Sequence, residues 1–219
     1  GYLKHKEGVL GSITTSGAAG GFTKYEAIIS AIYENIERDG FLCYWHTMTA
    51  PDIITGGDNS FGEEYIKLST ILKDTGLKIY LFDTVTQIGI PSVICAVRNE
   101  LNGTFCISGG SGDNYMIAIK KAVLEMTACI VRFNISEEAI TKLEPGYLPQ
   151  ALKGVDRSFR LSLWMNKDFA SNGSFFFKGK KVLVEEVFKK HLFIGVQAKN
   201  TKDKLDNILD IFKKIGPGY

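Results

Sequence analysis

The chain has 219 residues, 45% of them hydrophobic and 23% charged, with a formal net charge of +2. That composition belongs to a globular protein long enough to bury a core, and it excludes low-complexity, collagenous and strongly basic nucleic-acid-binding classes. No apolar run reaches the roughly 18 residues of a membrane span and the first residues do not read as a signal peptide, so the expectation is a cytoplasmic protein.

Residues 1 to 15 form a mixed Gly/Thr/Ser stretch read as a short strand, followed by the small-residue loop Ser16 to Gly21. Thr23 as N-cap with Glu26 three residues later is a capping box, which predicts a helix over about 23–39, continuing through Phe41 to Trp45. Its residues Ala27, Ile28, Ile29, Ala31, Ile32, Tyr33 and Ile36 are apolar almost all round, the pattern of a buried helix. Asp52 to Ser60, rich in Gly, Asp and Asn, reads as a loop. An amphipathic helix is expected over about 62–74, stopping before Gly76. Three strands follow, LKIYLFDT, IPSVICAVRN and TFCISGG, the last two joined by a turn at Asn102-Gly103.

GGSGDNY, Gly109 to Tyr115, reads as a second small-residue loop opening a helix over about 115–132, with Asp113 or Asn114 as its cap. Beyond Pro145 the pattern loosens into a connector. A strand near Phe159 to Met165, an aromatic segment Ser174 to Phe177, helices near 182–190 and 202–214 and a strand at 191–197 complete one α+β domain over 1–219. The cysteines, Cys43, Cys95, Cys106 and Cys129, lack a Cys-x-x-Cys pair and read as buried free thiols rather than zinc ligands. His5, His46 and His191 lie in unrelated contexts and suggest no catalytic grouping.

The chemistry-bearing pattern is on the first helix. Ser30, Glu34, Glu37 and Arg38 recur three and four residues apart and so share a face. Alone, Glu-x-x-Glu-Arg is most often a solvated helix face. On an otherwise apolar helix the two carboxylates need partners, and a hard cation beside phosphate is a natural one. The second helix sets Lys121 and Glu125 on one face at i and i+4. No Walker A or G-x-G-x-x-G pattern occurs, yet Gly/Ser loops ending at helix N-termini suit phosphate oxygens.

Taken in order, Ser30-x3-Glu34-x2-Glu37-Arg38-Asp39, the strand pair Asp83 to Asn99, and Lys121 four residues before Glu125 resemble the YcaO-domain family. The segment SLWMNKDFASNGSFFFKG, more loosely, resembles the spacer before the family's C-terminal portion. The resemblance implies a YcaO-like α+β fold with mixed sheets packed by buried helices, its C-terminal portion incomplete. It implies ATP and Mg²⁺ as cofactors, with Glu34, Glu37 and Glu125 as metal ligands and Ser30, Glu34, Arg38 and Lys121 binding the nucleotide. The implied activity is ATP-dependent activation of peptide backbone amides, giving azolines or thioamides. The implied partners are a peptide or protein substrate and a leader-peptide-binding or sulfur-delivery protein, with pairing of two copies as a further option and no nucleic acid or membrane. Two alternatives stay open. One is a degenerate, non-catalytic peptide- or nucleotide-binding module, favoured by Ala128 where the family commonly carries glutamine. The other is an unrelated metal-dependent hydrolase built on the same three glutamates.

Overall fold

The computed structural model describes residues 16–140, 164, 166–190 and 198–216. The strands expected over 1–15 and 191–197 lie outside these residues, as does nearly all of the one near 159–165. Helix α1 (Lys24–Thr47) starts as its sequence dictates: Thr23 Oγ1 accepts from Glu26 N–H while the Glu26 carboxylate accepts from Thr23 N–H. Then come β1 (Asp52–Thr55), a 3₁₀ turn (Asp58–Phe61) and α2 (Glu63–Leu72). The meander β2 (Leu77–Asp83), β3 (Ser92–Asn99) and β4 (Phe105–Ser111) leads into α3 (Tyr115–Ile140). Helix α4 (Lys167–Ala170), a 3₁₀ stretch (Ser171–Lys178), β5 (Lys181–Leu183), α5 (Val184–Lys190) and α6 (Thr201–Ile215) follow.

One mixed sheet runs β4-β3-β2-β1-β5, antiparallel from β4 to β1, with β5 joining parallel to β1. Successive side chains point to opposite faces, and both faces are covered. Val93, Cys95 and Val97 of β3 pack with Leu68 and Leu72 of α2 and Ala118, Ala122 and Met126 of α3. Ile94 and Ala96 pack with Phe82, Phe176 and the aromatic end of α1. There Trp45 meets Phe41, Trp164 and Phe175 at ring distances of 4.7–5.3 Å. A third cluster joins α1 to α6 through Ile29, Tyr33, Ile36, Leu205 and Ile208.

Several expectations change. Asp52 to Ser60 is not a loop, because Ile53 and Ile54 each enter a core on opposite faces and make a four-residue strand. Residues 181–183 are strand, and the helix begins only at Val184. Gly109, Gly110 and Ser111 belong to β4, so the loop before α3 is only Gly112 to Asn114. The β3–β4 connection spans five residues rather than a tight two-residue turn, with Gly103 alone at positive φ (78°). Helix α1 is not buried all round: Ile29, Tyr33, Ile36 and Gly40 form its buried stripe, while Leu42 and Cys43 are exposed. Among the described residues no helix is long and apolar enough to cross a membrane.

What positions the site is the absence of side chains on β4. A Cβ at Gly110 would collide with the carbonyl oxygen of Ala118 and lie 2.6 Å from the amide nitrogen of Ala122, both α3 backbone. Ser108 Oγ donates to the Ala122 carbonyl at 2.7 Å and ties the same two elements. Gly110→Ala must therefore push α3 off β4. Overpacking of this kind costs roughly 1–3 kcal/mol, and the expected result is a lowered urea midpoint with an unchanged m-value. An unshifted midpoint would show that the helix tolerates the added methyl.

Candidate functional site

The residues singled out on α1 and α3 meet across the outer strand β4. Glu37 reaches from α1 over Gly109, where a Cβ would occupy the space now held by the Glu37 carboxyl group. On the other side of the strand α3 carries Lys121 and Glu125, both exposed. Glu34 and Arg38 sit one turn apart on α1, and the guanidinium donates from both Nε (3.1 Å) and an Nη (3.0 Å) to one Glu34 oxygen. Ser30 is half-buried one turn before Glu34.

The electrostatics identify Glu37 as the group out of balance. Burial first, and then the negative charge of Glu125, push its carboxyl from an ordinary 4.5 up to about 7. Glu34 adds to that effect, and Arg38 and Lys121 oppose it without cancelling it. Like charges brought together in a partly buried site disfavour ionisation, and a divalent cation reverses that preference. The donor set is all carboxylate oxygen, which suits Mg²⁺ rather than a softer metal. Among the described residues no three acidic, histidine or cysteine side chains converge closely enough to hold a metal by themselves. Glu34, Glu37 and Glu125 thus form no closed cage.

The cationic half of the site is more ordered than the sequence suggested. Lys121 Nζ donates to the Ser111 carbonyl at 2.9 Å and stands 5.1 Å from the centre of the Tyr33 ring. Lys204, from α6, lies 5.6 Å from that ring and pairs with Asp113 at 2.6 Å. Tyr33 Oη donates to the other Asp113 oxygen. Tyr33, Asp113 and Lys204 were not singled out from the sequence. Asp113 was one of two candidate caps, but Asn114 caps α3 through the Ile117 amide, which leaves the Asp113 carboxylate free to bridge α1 and α6. Lys204 carried no local signal, because its partner is 91 residues away.

The chain is an α+β domain in which carboxylates from α1 and α3 and lysines from α3 and α6 gather around one glycine-bearing strand. A family model described as YcaO cyclodehydratase, ATP- and Mg²⁺-binding, matches residues 2–217. The chain belongs to the YcaO family. Its fold is similar to that of a heterocyclase solved in complex with substrate and cofactor (TM-score 0.71, 18% identity), covering 98% of this chain and 26% of that one. It is also similar to YcaO from Methanopyrus kandleri bound with AMPPCP and Mg²⁺ (TM-score 0.64, 14% identity, 95% of this chain and 50% of that one). A third likeness is to the E. coli microcin synthetase McbBCD complex with pro-MccB17 bound (TM-score 0.54, 16% identity, 93% and 48%). The chain thus spans from about a quarter to half of these solved chains, and at such identities the likeness is one of fold. A stretch of 147 residues is 24% identical to the large ribosomal subunit protein bL9 of Helicobacter pylori, covering 65% of this chain and 92% of that one. That level of identity shows no second family.

The raised Glu37 carboxyl has a consequence for stability. Between about pH 4.5 and pH 7 the folded protein holds a proton that the unfolded chain releases, so this group's contribution falls as pH rises through that window. Glu37→Gln removes the loss. At pH 8 the variant should be more stable than wild type by roughly 2 kcal/mol after allowance for partial exposure, with the difference gone at pH 4.5. Urea unfolding at the two pH values checks this, and equal differences at both would contradict the assigned crowding.

Proposed function

We propose that this chain contributes the nucleotide and metal site of an ATP- and Mg²⁺-dependent enzyme that activates peptide backbone amides, closing azoline rings. Thioamide formation with an external sulfur source is the variant of the same chemistry. The observation that carries the reading is the half-buried Glu37 over Gly109, which feels the negative charge of Glu125 and the positive charge of Lys121 from α3, in a chain whose family is ATP- and Mg²⁺-binding.

When bound, Mg·ATP supplies the phosphoryl group that turns a poor leaving group, the amide oxygen, into phosphate, after a Cys, Ser or Thr side chain of the peptide has added to the carbonyl carbon. The protein's part is positioning and charge compensation, which dominate phosphoryl transfer. Glu34, Glu37 and Glu125 would supply the carboxylate oxygens for Mg²⁺. Arg38 now donates to Glu34. A cation taken up by that carboxylate frees the guanidinium fork for phosphate oxygens. Lys121 offers an ammonium to the phosphates from the opposite wall, and Ser30 offers a hydroxyl one turn before Glu34.

The McbBCD synthetase is a multi-protein complex with a pro-peptide bound. By analogy this chain works on a peptide or protein substrate with a leader-binding or sulfur-delivery partner, in the ATP-containing cytoplasm, as a single functional domain and with self-association as an option. A second reading, a binding module without catalysis, draws on Ala128, exposed one turn beyond Glu125, and on the open carboxylate set.

Calorimetric titration of Mg·ATP tests the site. Glu34→Gln and Glu125→Gln should each weaken binding by at least about tenfold, the effect of losing roughly 1.4 kcal/mol, while the proteins stay folded. Unchanged affinity in both variants would remove these residues from the site. Wild-type binding without peptide-dependent ADP release, assayed with the partner protein present, would favour the binding module.

A further inference from the structure

We propose that Asp113, held between the Tyr33 hydroxyl and the Lys204 ammonium, is the positioning residue for Lys121, acting through the Tyr33 ring that it fixes beside the Lys121 ammonium. The functional meaning rests on the reading of Lys121 as a phosphate contact, but the physical link stands on the contacts themselves.

Asp113 Oδ1 accepts from Tyr33 on α1, and Oδ2 accepts from Lys204 on α6 at 2.6 Å, so both oxygens are fixed by separate elements. Two residues earlier, the carbonyl of Ser111 accepts from Lys121 Nζ. The Tyr33 ring lies between the two ammonium groups, 5.1 Å from Lys121 and 5.6 Å from Lys204, and attracts both. Five residues drawn from α1, β4, the β4–α3 loop, α3 and α6 thus form one connected polar cluster. Tyr33 is one turn before Glu37 on the same helix, so the cluster also touches the element that carries the carboxylates.

The charges facing Lys121 are Glu37 from α1, Asp113 from the loop and Lys204 from α6, with Glu125 one turn along its own helix. Burial works against the Lys121 ammonium and Lys204 repels it, while Asp113 is the foremost of the groups that support it and Glu37 the other. Asp113 is thus the attractive partner for two cations, only one of which it touches. Lys204 fixes Asp113 in place and at the same time competes for its field.

That arrangement makes a prediction of sign that a purely structural latch does not share. Loss of the Asp113 carboxylate removes support from Lys121. Loss of the Lys204 ammonium removes a repulsion and leaves Asp113 wholly to Lys121. If the cluster only fastened α6 to the body of the protein, both losses would loosen Lys121 alike.

The experiment is acetylation of the full chain with limiting acetic anhydride, the rate at Lys121 being read by peptide mass spectrometry with the other lysines as internal reference. Asp113→Asn should raise the Lys121 rate by about threefold or more, on the scale of tenfold per unit of amine pKa. Asp113→Glu should restore it at least in part, and Lys204→Met should lower it or leave it unchanged. Acceleration by both Asp113→Asn and Lys204→Met, or an unchanged rate in Asp113→Asn, would overturn the proposal. In parallel, Asp113→Asn should weaken Mg·ATP binding several-fold in the wild-type background and add nothing in a Lys121→Met background, since the two act through one group. A full additional loss in that background would overturn the proposal. Absence of any Mg·ATP binding by wild type, with the acetylation pattern intact, would instead sink only the nucleotide reading.

Discussion

Everything at this site depends on how closely two helices approach one strand. Gly109 and Gly110 are neighbours on β4 and face opposite sides of the sheet. The first leaves room for the Glu37 carboxyl from α1 and the second for the backbone of α3. A side chain at Gly110 would push the backbone of α3 away, and one at Gly109 would displace the Glu37 carboxyl from its place over the strand. Among the described residues β4 is the outermost strand of the sheet, with α1 and α3 on its opposite faces. The strand gives up the packing that a valine or isoleucine would provide there. Ser108, bonded to the Ala122 carbonyl, and the broad apolar faces of β3 and α3 offset that loss.

The same closeness creates the electrostatic problem. A carboxylate on a half-buried helix face, approached by a second from another element, is more easily protonated than left charged. Arg38 relieves Glu37 only in part, because its guanidinium is hydrogen-bonded to Glu34. A protein gains nothing in stability from such an arrangement, and groups of this kind gather where a ligand supplies the missing charge. The crowding is therefore informative in a way that an exposed Glu-x-x-Glu-Arg would not be.

Local chemistry was legible wherever the sequence signal was itself local. The Thr23–Glu26 box, the i, i+4 pairing of Glu34 with Arg38 and the Asn114 cap are each written within a few residues, and each is realised. Strand β1 was hidden because Pro51 and Gly56-Gly57 frame only four residues. Both of its isoleucines are buried, so no apolar–polar alternation marks it. Its neighbours β2 and β5 are fixed by pairing across 27 and more residues. Gly109 and Gly110 were read both as the end of a strand and as the start of a loop because glycine has poor strand propensity, and the strand runs on through Ser111. Helix α1 looked buried all round because its surface isoleucines serve a second cluster with α6 rather than the sheet. The candidate residues were found from pattern. The groups that hold them (Ser111, Asp113, Tyr33, Lys204) were not, since a carbonyl has no sequence signature and a contact across 91 residues has no spacing to read.

The two lobes of the cleft are unbalanced in opposite senses. On one side three carboxylates, Glu34, Glu37 and Glu125, share the single guanidinium of Arg38. On the other, two ammonium groups, Lys121 and Lys204, share the single carboxylate of Asp113. A bare metal ion would satisfy only the first lobe and repel the second, and a bare polyphosphate would do the reverse. A magnesium–phosphate pair presents its cation to the carboxylates and its oxygens to the lysines, and so compensates both at once. Lobes separated only by the width of a glycine strand would also neutralise each other in part when no ligand is present. The electrostatic attraction between Glu37 and Lys121, each moderating the other's shift, is that partial neutralisation. It lets a domain with a net charge of only +2 carry a strongly dipolar cleft without forfeiting its fold.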